Sequence, residues 1–228
     1  MKKVYIRKTK ETSLFYQAEV GFIKMGYEII HYETVPEDIT KDDVLIGYIG
    51  NVHKALRYLN IEVPQAIDYP EELNWYFSRE IKRIETVDEI EINTFVKPVN
   101  FKEFPGRVIR EFRDLIGITD TPMYTSQIIN IETEYAVYVI KGEIVGIKHY
   151  KGNPYIPLNK RVVDECIGKY KNCPASYRID FGVTDLSQTI IIEVNDGYSS
   201  GNYGLNEITY AKFLLARWEE LMKSPKKE

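Results

Sequence analysis

Apolar and polar positions divide this chain into two stretches of different rhythm. In the first, short apolar runs alternate with segments of helical spacing. Residues 3–7 (KVYIR) predict a strand. Ser13 is placed to cap the following LFYQAEVGFIKM, whose apolar residues recur at helical spacing until Gly26 stops them. YEIIHY (27–32) and VLIGYI (44–49) predict two more strands. Asn51 opens a helical segment, VHKALRYLN, and the strand-like IEVPQAI (61–67) follows. Pro64, Pro70 and the acidic EEL punctuate the chain before residues 74–86 (NWYFSREIKRIET), which predict a helix leading out. Strands alternating with helices point to a small parallel α/β unit, Rossmann-like in its order. No Gly-rich fingerprint follows its first strand, so by motif it is neither a dinucleotide binder nor a P-loop. A boundary near residue 90 gives two units, 1–90 and 91–228.

From residue 91 the pattern turns to strands and hairpins. INTFVKPV predicts a strand carrying Lys97, and the loop NFKEFPG after it holds Lys102 and Gly106. VIREFRDLIGI is a short amphipathic segment, and YTSQIINI (124–131) is an apolar strand-like run that breaks at Glu132. Residues 135–150 read as a hairpin turning at Lys141-Gly142, flanked by clean alternation. A helix is expected over 161–170, a second hairpin over 177–195, and a last helix over ITYAKFLLARWEELM, behind the loop DGYSSGNYGL.

The second hairpin concentrates the chemistry. Side chains alternate along a strand, so Arg178 and Asp180 share a face, as do Glu193 and Asn195. A turn centred between Leu186 and Ser187 sets Asp180 opposite Glu193 and Arg178 opposite Asn195. Directly opposed side chains lie ~5 Å apart, and two like charges at that distance repel. A hard divalent cation held by carboxylate and amide oxygens, magnesium first, would compensate. A solvent-facing hairpin is the other reading, and the apolar run TIIIEV argues against it.

At 228 residues, 44% hydrophobic and 28% charged, the chain has material for one large or two small cores. A net charge of −4 gives no support to a nucleic-acid-binding surface. Cys166 and Cys173 have no companions at zinc-ligand spacing, so free or buried thiols of a cytosolic protein are expected. The basic start MKKVYIRKTKETS lacks an apolar signal core, and no run approaches the ~20 apolar residues of a membrane span. A soluble, cytoplasmic protein is the expectation.

Four features now stand in a telling order: VKP with Lys97, SQIIN ahead of EYAVYVI, RIDFG, and IIEVND with a Gly-rich loop behind it. Together they resemble an ATP-grasp domain over about 91–221, with 1–90 similar to the α/β unit that usually precedes one. The resemblance implies a two-lobed α/β (α+β) fold that binds ATP between its lobes with Mg²⁺. D-alanine–D-alanine ligase and the glutamate-adding ligases share this arrangement, while the short length and KGEIVGIKHYKG resemble smaller ATP-grasp proteins.

By resemblance, Asp180, Glu193 and Asn195 would hold the metal, and Lys97, with Lys102 and Lys148, would reach the phosphates. Gln127, Ile128 and Ile129 would form the adenine hinge, and Glu134 would accept from the ribose. Arg178 would stabilise oxyanions in catalysis, and Ser199, Ser200 and Tyr203 would line the acceptor side. Plainer roles stand beside these: an exposed strand lysine at 97, a solvated loop lysine at 102, buried strand isoleucines at 128 and 129, and a hairpin-fixing Arg178–Asp180 salt bridge. One departure is Ala136, where many relatives carry an Arg that contacts substrate.

The implied activity is an ATP-dependent ligase that joins a carboxylate to an amine through an acyl phosphate, releasing ADP and phosphate. Its partners would be ATP and small-molecule, peptide or protein substrates, with no nucleic acid or membrane, and homo-oligomerisation is left open. A non-catalytic nucleotide-binding module is the main alternative. Phosphoryl transfer without ligation is another. No KxDG motif supports an RNA ligase.

Overall fold

The computed structural model describes residues 2–8, 15–100 and 103–223. Strands β1 (Lys3–Arg7), β2 (Glu28–Tyr32) and β3 (Val44–Ile46) form a parallel sheet in the order β2-β1-β3, as the alternating pattern predicts. Helix α1 (Tyr16–Lys24) connects the first two, and Ser13, its expected cap, lies outside the described residues. Gly26 closes α1 with φ at +82°, a conformation glycine adopts without steric cost. β3 ends earlier than expected because helix α2 (Ile49–Tyr58) already begins at Ile49. Asn51 lies inside α2, where its Oδ1 accepts from the Tyr48 N–H at 3.1 Å. Residues 61–67 form no strand, consistent with Pro64 removing a ladder donor there.

The helix expected over 74–86 is a single turn, α3 (Asn74–Phe77), stopped by Ser78 at φ +52°. Strand β4 (Ile81–Ile84) follows and pairs with β7 (Met123–Gln127). Pairing along an open sheet edge outweighs the local helical pattern. With β5 (Thr94–Pro98) and β6 (Arg107–Ile109), these strands make an antiparallel sheet in the order β4-β7-β5-β6. β4 thus lies in the sheet of Lys97 although it precedes residue 90.

The third sheet contains both expected hairpins, β8 (Ile131–Ile140) with β9 (Glu143–Gly152), and β10 (Ser176–Thr184) with β11 (Thr189–Asp196). Its order is β11-β10-β8-β9, antiparallel throughout. The first hairpin turns at Lys141 and Gly142, both with positive φ (+51° and +82°), as its two-residue turn requires. Helix α4 (Lys160–Lys169) is capped by Asn159, whose Oδ1 accepts from the Arg161 N–H at 3.1 Å.

β10 is buried along its whole length because it is flanked by strands and covered on both faces. Tyr177, Ile179 and Phe181 pack with Val137 and Val139 of β8, with Val163 and Cys166 of α4, and with Leu73 and Phe77. Both cysteines are free, and burial pushes the Cys166 thiol up to about 12. Helix α5 (Glu207–Lys223) lies by the opposite face, where Phe213 meets Tyr138 edge-on at 5.2 Å. α5 also closes the core of the first sheet, and Trp218 Nε1 donates to the Asp43 carbonyl at 2.7 Å. One helix therefore joins the parallel unit to the sheet that holds Arg178 and Asp180. Among the described residues, no helix is long and apolar enough to cross a membrane.

The α1–α5 contact depends on Gly21. A Cβ there would stand 2.1 Å from the Glu207 carbonyl oxygen and 2.7 Å from the Ala211 Cβ. Gly21→Ala is expected to lower the unfolding free energy by about 2 kcal/mol in urea titrations. Gly50→Ala in α2, where nothing lies within 4 Å, should not lower it.

Candidate functional site

The register of the β10–β11 hairpin sets the site. Asp180 faces Glu193 and Arg178 faces Asn195, as expected, but the chain arrives there by another route. The turn is centred on Leu186, since Val183 pairs with Thr189. A bulge then inserts Ile192 between the pairs Phe181–Ile191 and Asp180–Glu193. Without that extra residue Asp180 would face Ile192. The Arg79 guanidinium braces the bulge, donating to the Ile191 carbonyl at 2.9 Å and the Ile192 carbonyl at 2.8 Å.

Around this register the polar side chains form one continuous line. Arg178 grips Asp180 with two bonds, Nε to Oδ1 and Nη2 to Oδ2, both at 2.8 Å, and its Nη1 donates to Ser200 Oγ at 3.1 Å. Asn195 Nδ2 donates to Asp180 Oδ2 and to Glu193 Oε1, each at 3.1 Å. Lys97 Nζ donates to Glu193 Oε2 at 2.7 Å and to Asp68 Oδ1 at 2.5 Å. Three carboxylates are thus interleaved with two cations and an amide.

The electrostatics follow from burial and this interleaving. Burial pushes the Asp180 carboxyl above its ordinary value, while the two bonds from the Arg178 guanidinium pull it down. Burial also opposes the charge on Glu193, but the adjoining Lys97 ammonium outweighs it and holds the carboxyl below its ordinary value. Lys97 in turn is raised: desolvation works against its charge, and Glu193 and Asp68 more than reverse it.

A cavity of about 330 Å³ is lined by Lys97, Glu193, Asn195 and Asp68, with Phe95 and Phe104 on its apolar side and Ile49 from α2. The Lys97 side chain is only 16% exposed, which excludes a plain surface lysine. Lys102 lies outside the described residues. Gln127 ends β7 with Oε1 accepting from the Glu80 N–H at 3.1 Å. Ile128, Ile129 and Asn130 line a separate cavity of about 490 Å³, together with Arg110, Asp185 and Ile190.

Glu134 accepts from Tyr150 Oη at 2.8 Å and from Lys151 Nζ at 2.5 Å. Lys148, half-buried on β9, stands in the row Lys148–Ala136–Asp180–Glu193 that crosses the sheet. Tyr203 lies beneath the Arg178 guanidinium at 5.1 Å and stacks on Tyr150 at 4.8 Å. Ser200 joins the site through Arg178. Ser199 instead turns away, at φ +55°, with Oγ donating to the Gly47 carbonyl at 2.7 Å.

Three contributors escape sequence reasoning. Asp68 and Tyr69 sit in a Pro-punctuated segment without periodicity, and Arg79 falls inside a segment that reads as helix. Only tertiary pairing reveals them, since Asp68 meets Val194 in an isolated bridge. Among the described residues no group of three or more His, Cys, Asp or Glu is placed to hold a metal.

A parallel three-stranded unit followed by two antiparallel sheets, with these residues on facing strands, places the molecule in the ATP-grasp class. The chain belongs to the family described as ATP-grasp domain, R2K clade family 2, whose model matches residues 76–213. No curated protein sequence matches it. Solved structures share the fold at low identity. D-alanine–D-alanine ligase from Bacillus anthracis, complexed with ATP, is similar at 14% identity and TM-score 0.61, covering 98% of this chain and 99% of that one. N5-carboxyaminoimidazole synthetase from Staphylococcus aureus, complexed with ADP, is similar at 12% identity and TM-score 0.59, covering 95% and 77%. A RimK domain ATP-grasp protein from Sphaerobacter thermophilus is similar at 13% identity and TM-score 0.55, covering 93% and 99%.

The Arg178–Asp180 pair is buried, so removing one partner strands the other. Arg178→Met is expected to cost about 4 kcal/mol of unfolding free energy. Combining it with Asp180→Leu should recover most of that loss, as read from urea midpoints.

Proposed function

We propose that the protein is an ATP- and Mg²⁺-dependent ligase that joins a carboxylate to an amine through an acyl-phosphate intermediate, releasing ADP and phosphate. The observation that carries this reading is the convergence of Asp180 and Glu193 on the Asn195 amide, with Glu193 also bonded to Lys97. Two carboxylates and an amide oxygen are the hard donors that Mg²⁺ accepts alongside phosphate and water. The residues therefore fit the ion, and Asp180, Glu193 and Asn195 would hold it. When bound, it would supply positive charge against the β- and γ-phosphates.

Lys97, which lines one cavity with Glu193 and Asn195, would donate to the phosphates, with Lys102 and Lys148 as further candidates. The backbone of Gln127, Ile128 and Ile129 would meet the adenine edge, while Glu134 would accept from the ribose hydroxyls. Arg178 is the catalytic residue of this reading. Its guanidinium is permanently charged and planar, and it would donate to the oxygens that become negative as the amine attacks. Ser200 and Tyr203 hold that guanidinium from two sides and would line the acceptor space, with Ser199 anchoring their loop to the first unit. Residues 1–90 would be the preceding α/β unit and 91–228 the ATP-grasp domain, with Ile49 and Asp68 of the first unit reaching the cavity of Lys97. The acceptor is an amine of a small molecule, peptide or protein, and the setting is the cytoplasm.

A second reading, a nucleotide-binding module without ligation, is favoured by one feature: Arg178 is already committed to Asp180 and Ser200. Supplying ATP, Mg²⁺ and mixed pools of amino acids and peptides separates the two. The ligase should release ADP only when a pool contains its substrates, and Glu193→Gln should bring that release to background. ATP binding without ADP release in any pool would favour the module.

A further inference from the structure

We infer that Asp68 is a positioning residue for Lys97: a third carboxylate that keeps the lysine aimed into the cavity when Glu193 turns to a cation. The inference rests on reading that cavity as a nucleotide site. Lys97 now bridges two carboxylates, Asp68 at 2.5 Å and Glu193 at 2.7 Å. Glu193 also accepts from Asn195 and faces the Asp180 carboxylate across the hairpin, where a cation would relieve the repulsion of the two like charges. If it serves the metal, the ammonium loses one of its two counter-charges. Asp68 is then the one that remains, and the Lys97 and Asp68 side chains are only 16% and 13% exposed. A buried ammonium in that setting needs a fixed anion to stay charged and oriented.

Asp68 is fixed in the frame of the site. Its carbonyl accepts from the Val194 N–H at 2.9 Å, so its backbone is bonded to the residue next to Glu193. Its φ of +48° is left-handed, a conformation that Asp and Asn tolerate better than most residues. The neighbouring Tyr69 ring lies 5.3 Å from Lys97 Nζ and meets Phe77 and Tyr124 edge-on, which walls the lysine stem. Asp68 thereby ties Lys97 of the β5 sheet to β11 of the neighbouring sheet, across the cavity that both line.

The test is a double-mutant cycle on Mg-ATP affinity, measured by calorimetry for the wild-type chain, Asp68→Asn, Lys97→Met and the double variant. Asn preserves both shape and backbone preference at position 68, and thermal midpoints are taken for every variant. Asp68→Asn is expected to weaken binding roughly tenfold in the wild-type background, the scale of one charge-assisted bond. In the Lys97→Met background it should cause no further loss. Unchanged or tighter binding by Asp68→Asn overturns the inference, and so does an equal loss in both backgrounds, which marks a role in the fold alone. A wild-type chain that binds no Mg-ATP removes the nucleotide reading and this inference together, whereas the other two results remove this inference only.

Discussion

One extra residue in β11 decides what the sheet can do. Ile192 is unpaired, and its insertion moves Glu193 and Asn195 one step, into line with Asp180 and Arg178. Bulges disrupt a ladder and leave carbonyls in need of donors. Arg79 answers both carbonyls at this one, and its guanidinium lies 5.9 Å from the Tyr69 ring and 5.8 Å from the Phe77 ring. The same segment, 68–79, supplies Asp68 to Lys97. The outer edge of β11 is therefore closed by the stretch of chain that also completes the charge line of the site.

That line explains how so many ionised groups share a small volume. Each carboxylate has a cation or an amide hydrogen within bonding distance, so no like charges meet without a mediator. The arrangement is balanced by exchangeable partners: Asn195 bridges Asp180 and Glu193 by its amide, and Lys97 bridges Glu193 and Asp68 by its ammonium. A cation between Asp180 and Glu193 would replace the hydrogen bonds of Asn195, and phosphates would compete for Lys97. Tyr203, stacked between Tyr150 and Arg178, connects the site to Glu134 through the Tyr150 hydroxyl.

The pattern of the chain carried much of this. The parallel unit, both hairpins, α4 and α5 follow from periodicities that the final packing respects. The pairing of Asp180 with Glu193 was legible too, though through a turn placed half a residue away and without the bulge that compensates for it. Helical spacing over 74–86 misled because β4 is stabilised by β7, forty residues downstream, rather than by its own sequence. Asp68 was hidden for the same kind of reason: its partners, Lys97 and Val194, are distant in the chain, and no local pattern announces them. Ser199 shows the opposite case, a polar loop residue whose hydroxyl serves the join to Gly47 and not the cluster.

On the proposed function, the bulged hairpin would hold a divalent cation for a nucleotide whose phosphates reach Lys97. A crystal structure with Mn²⁺ and a non-hydrolysable ATP analogue tests it most directly, because the metal is located by its anomalous scattering. The expected result is a manganese peak bonded to Asp180, Glu193 and Asn195, with a phosphate oxygen on Lys97 and the base against Ile128 and Ile129. A nucleotide bound with no metal at those three residues, or with its phosphates away from Lys97, would contradict it.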